Sequence, residues 1–438
     1  MEITFDKLIS LHIVLPILGA LLSVVFRKNI RVTQSIALGS LLLLFASSLL
    51  TLLLALKANE YRYSFGGWSA PLGIEFTINF YNATFLLLIS GAALCSFLFG
   101  QGLLKHEMER TRVPIFNALF LICIFGMYGL VMTNDFFNLY VFIEINSLAT
   151  YALVSWNSSN KNALTAAFYY LVVGSVAAIF ILIGIGYLYG STGTLNMSDF
   201  INKFDSLKHL KTVQLGICLI TLGLLIKSAL FPLHSWVLKV YKTTNSFILP
   251  FLGATSNKIY LFVFAKLFFL GLFNFAIMKD FFLPAGVITV TIFSFCAIYS
   301  KNLRMILAFS GLVQVGYIFI LLGLEYKLSF LLITIQLVSY SVTALALFML
   351  TASFEEIRGS SILDHLGRLT KEAPLYVILF VINSLSLIGV PITIRFLPKF
   401  AMFLDLIHNK SWITFAVTVC ASLFTFIYLF KAINVFIF

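Results

Sequence analysis

Charge is scarce in this sequence. Only 11% of its 438 residues are Asp, Glu, Lys or Arg, while 61% are hydrophobic. Soluble domains carry about a quarter charged residues, so a soluble globular enzyme is excluded. Cysteine is scarce as well, and the five present (Cys95, Cys123, Cys218, Cys296, Cys420) stand singly inside apolar runs. None has the close spacing that a zinc or iron–sulfur centre needs, so they read as inert, buried side chains, and neither a metal site nor a cofactor is visible in the chain. Catalytic triads and phosphate-binding loops are missing too, which leaves no redox or hydrolytic site. Acidic residues number 17 against 29 basic ones, a net charge of +12. The excess lies mostly in short segments between apolar runs, where it signals membrane topology and implies no nucleic-acid partner. Strict polar–apolar alternation, which a membrane barrel requires, is absent.

What the sequence does have is long apolar runs and a mean hydropathy of +1.02. A run of 18 or more residues can cross a hydrocarbon core roughly 30 Å thick as a helix, so the expected fold is an all-α, polytopic helical bundle in a lipid bilayer. The runs predict about thirteen spans. These lie near 8–26, 35–56, 81–103, 113–133, 136–156, 163–190, 213–241, 246–272, 275–298, 303–323, 328–353, 373–406 and 411–436. The first follows Glu2, Asp6 and Lys7 without a basic leader, and is read as a retained span. Loops after odd-numbered spans are short and basic, with Arg27, Lys28 and Arg31, then Lys105, Arg110 and Arg112, then Lys161, Lys239, Lys242, Lys301, Arg304, Arg358, Arg368 and Lys371. Those on the other side spread Lys57, Arg62, Lys203, Lys208, Lys211, Lys279, Lys327 and Lys410 over longer stretches. The positive-inside rule then puts the N-terminus outside and the C-terminus in the cytoplasm of a multi-pass inner-membrane protein.

Two spans carry prolines that should break their hydrogen-bond ladders: Pro232 in the seventh, and Pro391 with Pro398 in the twelfth. Broken spans five positions apart suggest two five-helix repeats, spans 4–8 and 9–13. Five is odd, so the second copy would be inverted. The chain divides on this reading into N-terminal helices with an outward hairpin (1–112), a first repeat (113–272) and a second repeat (273–438). Inverted repeats with broken helices are a transporter signature, because freed backbone at membrane depth is tolerated where it lines a polar cavity.

Several charges fall inside the spans: Lys227, Lys258, Lys266, Arg395, Lys399 and Lys431, with Glu144 as the deep acid. Glu144 is about eight residues into the fifth span, roughly 12 Å along the helix and close to the midplane. An unpaired charge in hydrocarbon costs at least about 2.5–3.5 kcal/mol, so these side chains must face the interior, pair or discharge. One acid cannot pair every base. A buried lysine that gains and loses a proton is what a proton relay needs. A static structural pair of Glu144 and Lys227 is the lesser alternative. Lys266 and Lys431, near span ends, are expected to snorkel to the interface. His234, beside Pro232, is either a relay member or a polar plug, and His12 is expected to be a packing histidine with its hydrogen bonds met.

The residues at this point resemble a family, the antiporter-like membrane subunits of Mrp cation/proton antiporters, respiratory complex I and membrane-bound hydrogenases. NDFFNLYVFIEINSLATYAL (134–153) is similar to the family's fifth helix, with Glu144 at its glutamate. KSALFPLHSW (227–236) resembles the broken seventh helix with Lys227 at its lysine, and SNKIYLFVFAKL (256–267) places Lys258 at the central lysine. KNLRMILAFSGLVQVGYI (301–318) resembles the loop and tenth helix, and GVPITIRFLPKF (389–400) the twelfth, with Lys399 at the exit lysine. FGGWSAPLGIEFTINF (65–80) looks most like the hairpin before the third helix of the D-type member of Mrp antiporters. The resemblance runs co-linearly over about residues 65–435. It departs at the eleventh helix, where Ser339 and Thr343 stand in place of a histidine and a lysine. In the twelfth, Arg395 and Pro398 occupy small glycine-type positions. Gln336, Tyr340 and ordered water are the candidates to bridge that gap.

The resemblance implies a proton-translocating subunit of a multi-subunit cation/proton antiporter, sodium being the favoured cation, with protons relayed along Glu144, Lys227, Lys258 and Lys399. Its partners would be other membrane subunits. The alternatives are a membrane-arm, proton-pumping subunit of an NADH-quinone oxidoreductase or hydrogenase-like complex, and a divergent, non-conducting structural subunit.

Overall fold

The computed structural model describes residues 2–57, 60–107, 110–156, 161–272, 276–324 and 328–437. Lys327, and the side chains of Glu2, Lys105, Arg110 and Lys279 named above, lie outside it. The chain forms two compact units, one comprising Met1–Lys227 with Leu270–Leu272 and the other the remainder.

The first unit contains α1 (Glu2–Val25), α2 (Ile30–Ala55), a hairpin of β1 (Glu60–Ser64) and β2 (Glu75–Asn79), then α3 (Phe80–Glu107), α4 (Val113–Met132), α5 (Phe136–Val154), α6 (Lys161–Thr192), α7 (Met197–Leu207) and α8 (Lys211–Ser228). The second contains α9 (Ser235–Thr243), α10 (Leu249–Phe269), α11 (Ala276–Tyr299), α12 (Leu303–Gly323), α13 (Ser329–Arg358), α14 (Leu369–Glu372), α15 (Pro374–Ile388), α16 (Phe396–His408) and α17 (Trp412–Ile437). Among the described residues, eleven helices (α1 to α6, α8, α11, α12, α13 and α17) are long and apolar enough to cross a membrane. α10, which carries Asn257, Lys258 and Lys266, falls at the eighth expected span, and α15 with α16 occupies the twelfth.

Uninterrupted apolar sequence makes these segments helical, and short polar side chains decide where several begin. Asn29, Asp135, Asn196 and Asn302 each accept a hydrogen bond from the backbone N–H three residues on, satisfying a donor the first turn leaves open. Close helix approach uses glycine. In the second unit a Cβ on Gly286 of α11 would lie 2.7 Å from the Gly316 carbonyl of α12, so the two backbones pack without side chains between them. Polar contacts tie α1 to α2, where His12 Nε2 lies 2.9 Å from Thr51 Oγ1 and the ring stands edge-on to Tyr128, as expected of a packing histidine.

Both expected breaks exist. α8 ends at Ser228 and α9 begins at Ser235, with Pro232 in the gap. α15 ends at Ile388, Gly389 turns the chain with φ +86°, and α16 begins at Phe396. Pro391 lies in this second gap. Pro398 does not: it is the third residue of α16, inside the first turn, where a missing N–H sacrifices no intrahelical bond. Proline alone is thus no marker of a break, since Pro16 and Pro284 sit inside α1 and α11, which continue past them.

A further expectation, that of buried cysteines, is corrected. Only Cys123 is buried, whereas Cys95, Cys218 and Cys420 are exposed and Cys296 is intermediate. A helix apolar on every side does not reveal which of its faces meets neighbours and which meets lipid. An enclosed acid also lies outside the expected spans. Glu75 on β2 is 6% exposed, and its Oε2 accepts from Asn134 Nδ2 at 2.6 Å and Asn196 Nδ2 at 3.0 Å, joining the hairpin to the loops that begin α5 and α7.

Candidate functional site

The charged residues singled out above fall into two groups, one in each unit. In the first unit, Lys227 is the penultimate residue of α8 and 1% exposed. Its Nζ donates to Ser147 Oγ at 2.7 Å and Tyr151 OH at 3.3 Å. Glu144, partly buried near the middle of α5, precedes these two by three and seven residues and so shares their face of the helix. Its charge acts on both Lys227 and Tyr151. Space for the cluster comes from Gly174 on α6, where a Cβ would collide with the Tyr151 hydroxyl and lie 3.2 Å from Lys227 Nζ. Gly174→Ala is therefore expected to displace both groups and slow any proton transfer through them. Gly186→Ala, on the same helix with open space at its Cβ, should be silent. Comparing the two variants in one proton-transport assay checks this.

In the second unit Lys258 lies in α10, which is buried over almost its whole length, and is itself 2% exposed. Its Nζ donates to the Gly253 carbonyl at 2.5 Å and sits 4.9 Å from the centre of the Tyr340 ring and 6.0 Å from that of Tyr241. Tyr340 on α13 faces a second cation, for the guanidinium carbon of Arg395 is 5.2 Å from the same ring. Lys399 follows Arg395 by one turn of α16, and its Nζ donates to the Ile388 carbonyl at 2.8 Å and Ser422 Oγ at 3.4 Å. A positive charge there caps the C-terminal end of α15, where helix carbonyls and the dipole favour a cation. Lys399 also stands 5.2 Å from the Tyr317 ring centre.

Aromatic faces thus replace carboxylates as the partners of these buried cations. Gln336 Nε2 donates to Gln314 Oε1 at 2.6 Å, so α12 and α13 are bridged one turn from Tyr340. The geometry brings Lys258, Tyr340, Arg395 and Lys399 into one series, with the Gln314–Gln336 bridge beside it. His234, in the first helix gap, packs at 4.5 Å against Phe293 and has an Nδ1 without a hydrogen-bond partner. Ser339 and Thr343 hydrogen-bond to backbone of their own helix, and neither supplies a titratable group.

Sequence reading missed Ser147, Tyr151, Tyr317 and Ser422, which hold the lysine head groups. Hydroxyl residues in apolar helices are common, and only contact with a lysine sets these apart. It also missed the partners of Lys431, which donates to the Ile298 and Ser300 carbonyls at 3.0 and 3.1 Å and so caps the end of α11.

A polytopic helical bundle with two interrupted helices and buried lysines next to them defines an antiporter-like membrane protein. The family described as NADH:quinone oxidoreductase/Mrp antiporter, TM, matches residues 133–425, and the chain belongs to it. A Desulforudis audaxviator protein named NADH-quinone oxidoreductase subunit N is 31% identical over 432 residues, which cover 97% of this chain and 85% of that protein. A Staphylococcus aureus protein named antiporter subunit mnhD2 is 29% identical over 428 residues, with the same shares covered. Among solved structures, a chain of the membrane-bound sulfane sulfur reductase, an archaeal respiratory membrane complex, superposes with a TM-score of 0.93 at 25% identity, covering 98% of this chain and 88% of its own.

Proposed function

We propose that this chain is the proton-translocating subunit of a multi-subunit cation/proton antiporter of the Mrp type, with sodium as the exchanged cation. Glu144, Lys227, Lys258 and Lys399 are its proton-carrying groups, used in chain order. The observation that supports this most directly is that all three lysines are almost fully enclosed, each against hydroxyls, carbonyls or aromatic rings. A lysine held against neutral oxygens and aromatic rings can alternate between charged and neutral forms. Glu144 modulates Lys227 through its charge, and the Tyr340 and Gln314–Gln336 groups carry protons with water past Arg395, which cannot release one.

Reading α10 and the α15–α16 pair as crossings gives thirteen spans, with the N-terminus outside and the C-terminus cytoplasmic in the inner membrane. On this reading the broken α8–α9 and α15–α16 segments mark two inverted repeats, 113–272 and 273–438, behind an N-terminal part, 1–112. The hairpin of β1 and β2, which takes in most of the Mrp-like segment 65–80, favours the antiporter branch. The relative named NADH-quinone oxidoreductase subunit N favours a second reading, a membrane-arm subunit of a respiratory oxidoreductase. Purifying the native complex separates them: small hydrophobic partner subunits fit the antiporter, and flavin or iron–sulfur subunits the oxidoreductase. Glu144→Gln in the assembled complex tests the relay itself. Proton-coupled cation transport in vesicles should fall by about tenfold or more, somewhat below what a positioned proton-transfer group contributes. Unchanged transport would leave only a structural, non-conducting subunit.

A further inference from the structure

The least explained charge in the second unit is Arg395. It is 1% exposed, and no protein acceptor takes any of its three guanidinium nitrogens. Lysines can meet burial by giving up a proton, but arginine keeps its charge. An unpaired cation in such surroundings needs a counter-charge.

Among the described residues of this unit none is supplied, and Asp364, in the turn after α13, is exposed. α9, α10, α12, α15 and α17 contain no Asp or Glu. Asp280 of α11 is exposed, and Glu372 of α14 pairs with Arg358. On α13 the acids are Glu355 and Glu356, and the nearer one, Glu355, is fifteen residues beyond Tyr340 and bound to Arg304. That is more than about 20 Å along a helix, at about 1.5 Å per residue. On α16 the acid is Asp405, ten residues from Arg395, or roughly 15 Å. The charge that does act across this site is another cation, Lys399, four residues on.

Apart from that cation, the groups found beside Arg395 are aromatic and neutral. Tyr340, Tyr428 and Tyr317 are close enough to act on it electrostatically. The Tyr428 hydroxyl lies against Ser310 Oγ, and Gln314 Nε2 is buried without a hydrogen-bond partner. Ser310, Gln314 and Tyr317 recur on one face of α12, at the spacing of successive helical turns. Hydroxyls of Tyr317, Tyr340 and Tyr428 thus stand near a fixed positive charge, with further donors along the same face of α12.

We propose that Arg395 holds a small monovalent inorganic anion of the halide class, with hydroxyl and amide donors of α12 and α17 completing its shell. The anion neutralises Arg395 and makes the protein's stability depend on which anion is present. The proposal does not rest on the transport reading, because its readout is binding.

The test uses the full-length chain in its native complex. Melting is followed in chloride, bromide and gluconate at matched ionic strength, and in crystals grown from bromide the anomalous signal is mapped. Expected is a melting temperature higher by a few degrees in chloride and bromide than in gluconate, saturating with halide concentration. A bromide peak within hydrogen-bond reach of Arg395 should accompany it, and Arg395→Gln should erase the halide-dependent shift. A shift that persists in Arg395→Gln overturns the proposal, as does a bromide map with no peak at Arg395. Should Arg395→Gln fail to assemble, the map of the unaltered protein decides alone.

Discussion

Lys258→Ala, introduced into the assembled complex, is expected to abolish proton-coupled transport, with a loss of about 10²-fold or more, the range a positioned proton-transfer group contributes. The reason is local. Lys258 is the only titratable amine in the interior of α10, its nearest partners are a backbone carbonyl and two aromatic rings, and no acid on the neighbouring helices could take its place. Lys258→Arg sharpens the test. Arginine preserves the charge and can still face Tyr340, yet it does not release its proton. A relay therefore predicts that arginine fails as badly as alanine, whereas a lysine needed only as a fixed charge predicts that arginine rescues. Transport measured in vesicles, beside a check that the complex still assembles, separates the two.

The second large effect is on stability. Arg304, at the start of α12, donates through Nε to Glu355 Oε1 at 2.5 Å and through Nη2 to Glu355 Oε2, while Nη1 reaches the Thr244 carbonyl at 2.6 Å and Nη2 also reaches Ser246 Oγ at 2.7 Å. One guanidinium thus fastens together α12, the end of α13 and the segment after α9. Both side chains are close to nine-tenths buried. Arg304→Met is expected to destabilise the protein by about 3 kcal/mol, the low end for breaking a buried pair, since Glu355 is left as an unmatched charge. Adding Glu355→Leu should recover much of that loss, because two apolar side chains need no partners. Denaturant unfolding of the single and double variants in detergent measures both steps; equal stability of single and double variants would show that the pair's charge balance is not what holds these segments.

How much of this was legible beforehand depended on whether the signal was chemical or geometric. Lys227, Lys258, Arg395 and Lys399 stand out in the sequence because charge inside an apolar run is costly, and the structure encloses all four. The two helix gaps were legible from Pro232 and Pro391. Pro398, Pro16 and Pro284 were not separable from these, since the consequence of a proline depends on its place within the helix. The role of Lys431 and the burial of Glu75 could not be read, because both are fixed by partners more than fifty residues away in the chain. The outward-facing cysteines escaped for a different reason. In water an apolar face points inward, but beside lipid tails either face can be apolar, so hydrophobic periodicity carries no direction.

The lysine near the end of α17 has an implication for how the molecule is made. Residues 298 and 300 are synthesised early, yet the ammonium group that satisfies their carbonyls arrives 133 and 131 residues later. Until then α11 has an unsealed end, and α17 acts as the clasp. Ribosome-bound chains stopped short of position 431 should leave that end open to hydrogen exchange, and the protection should appear only once the clasp has formed.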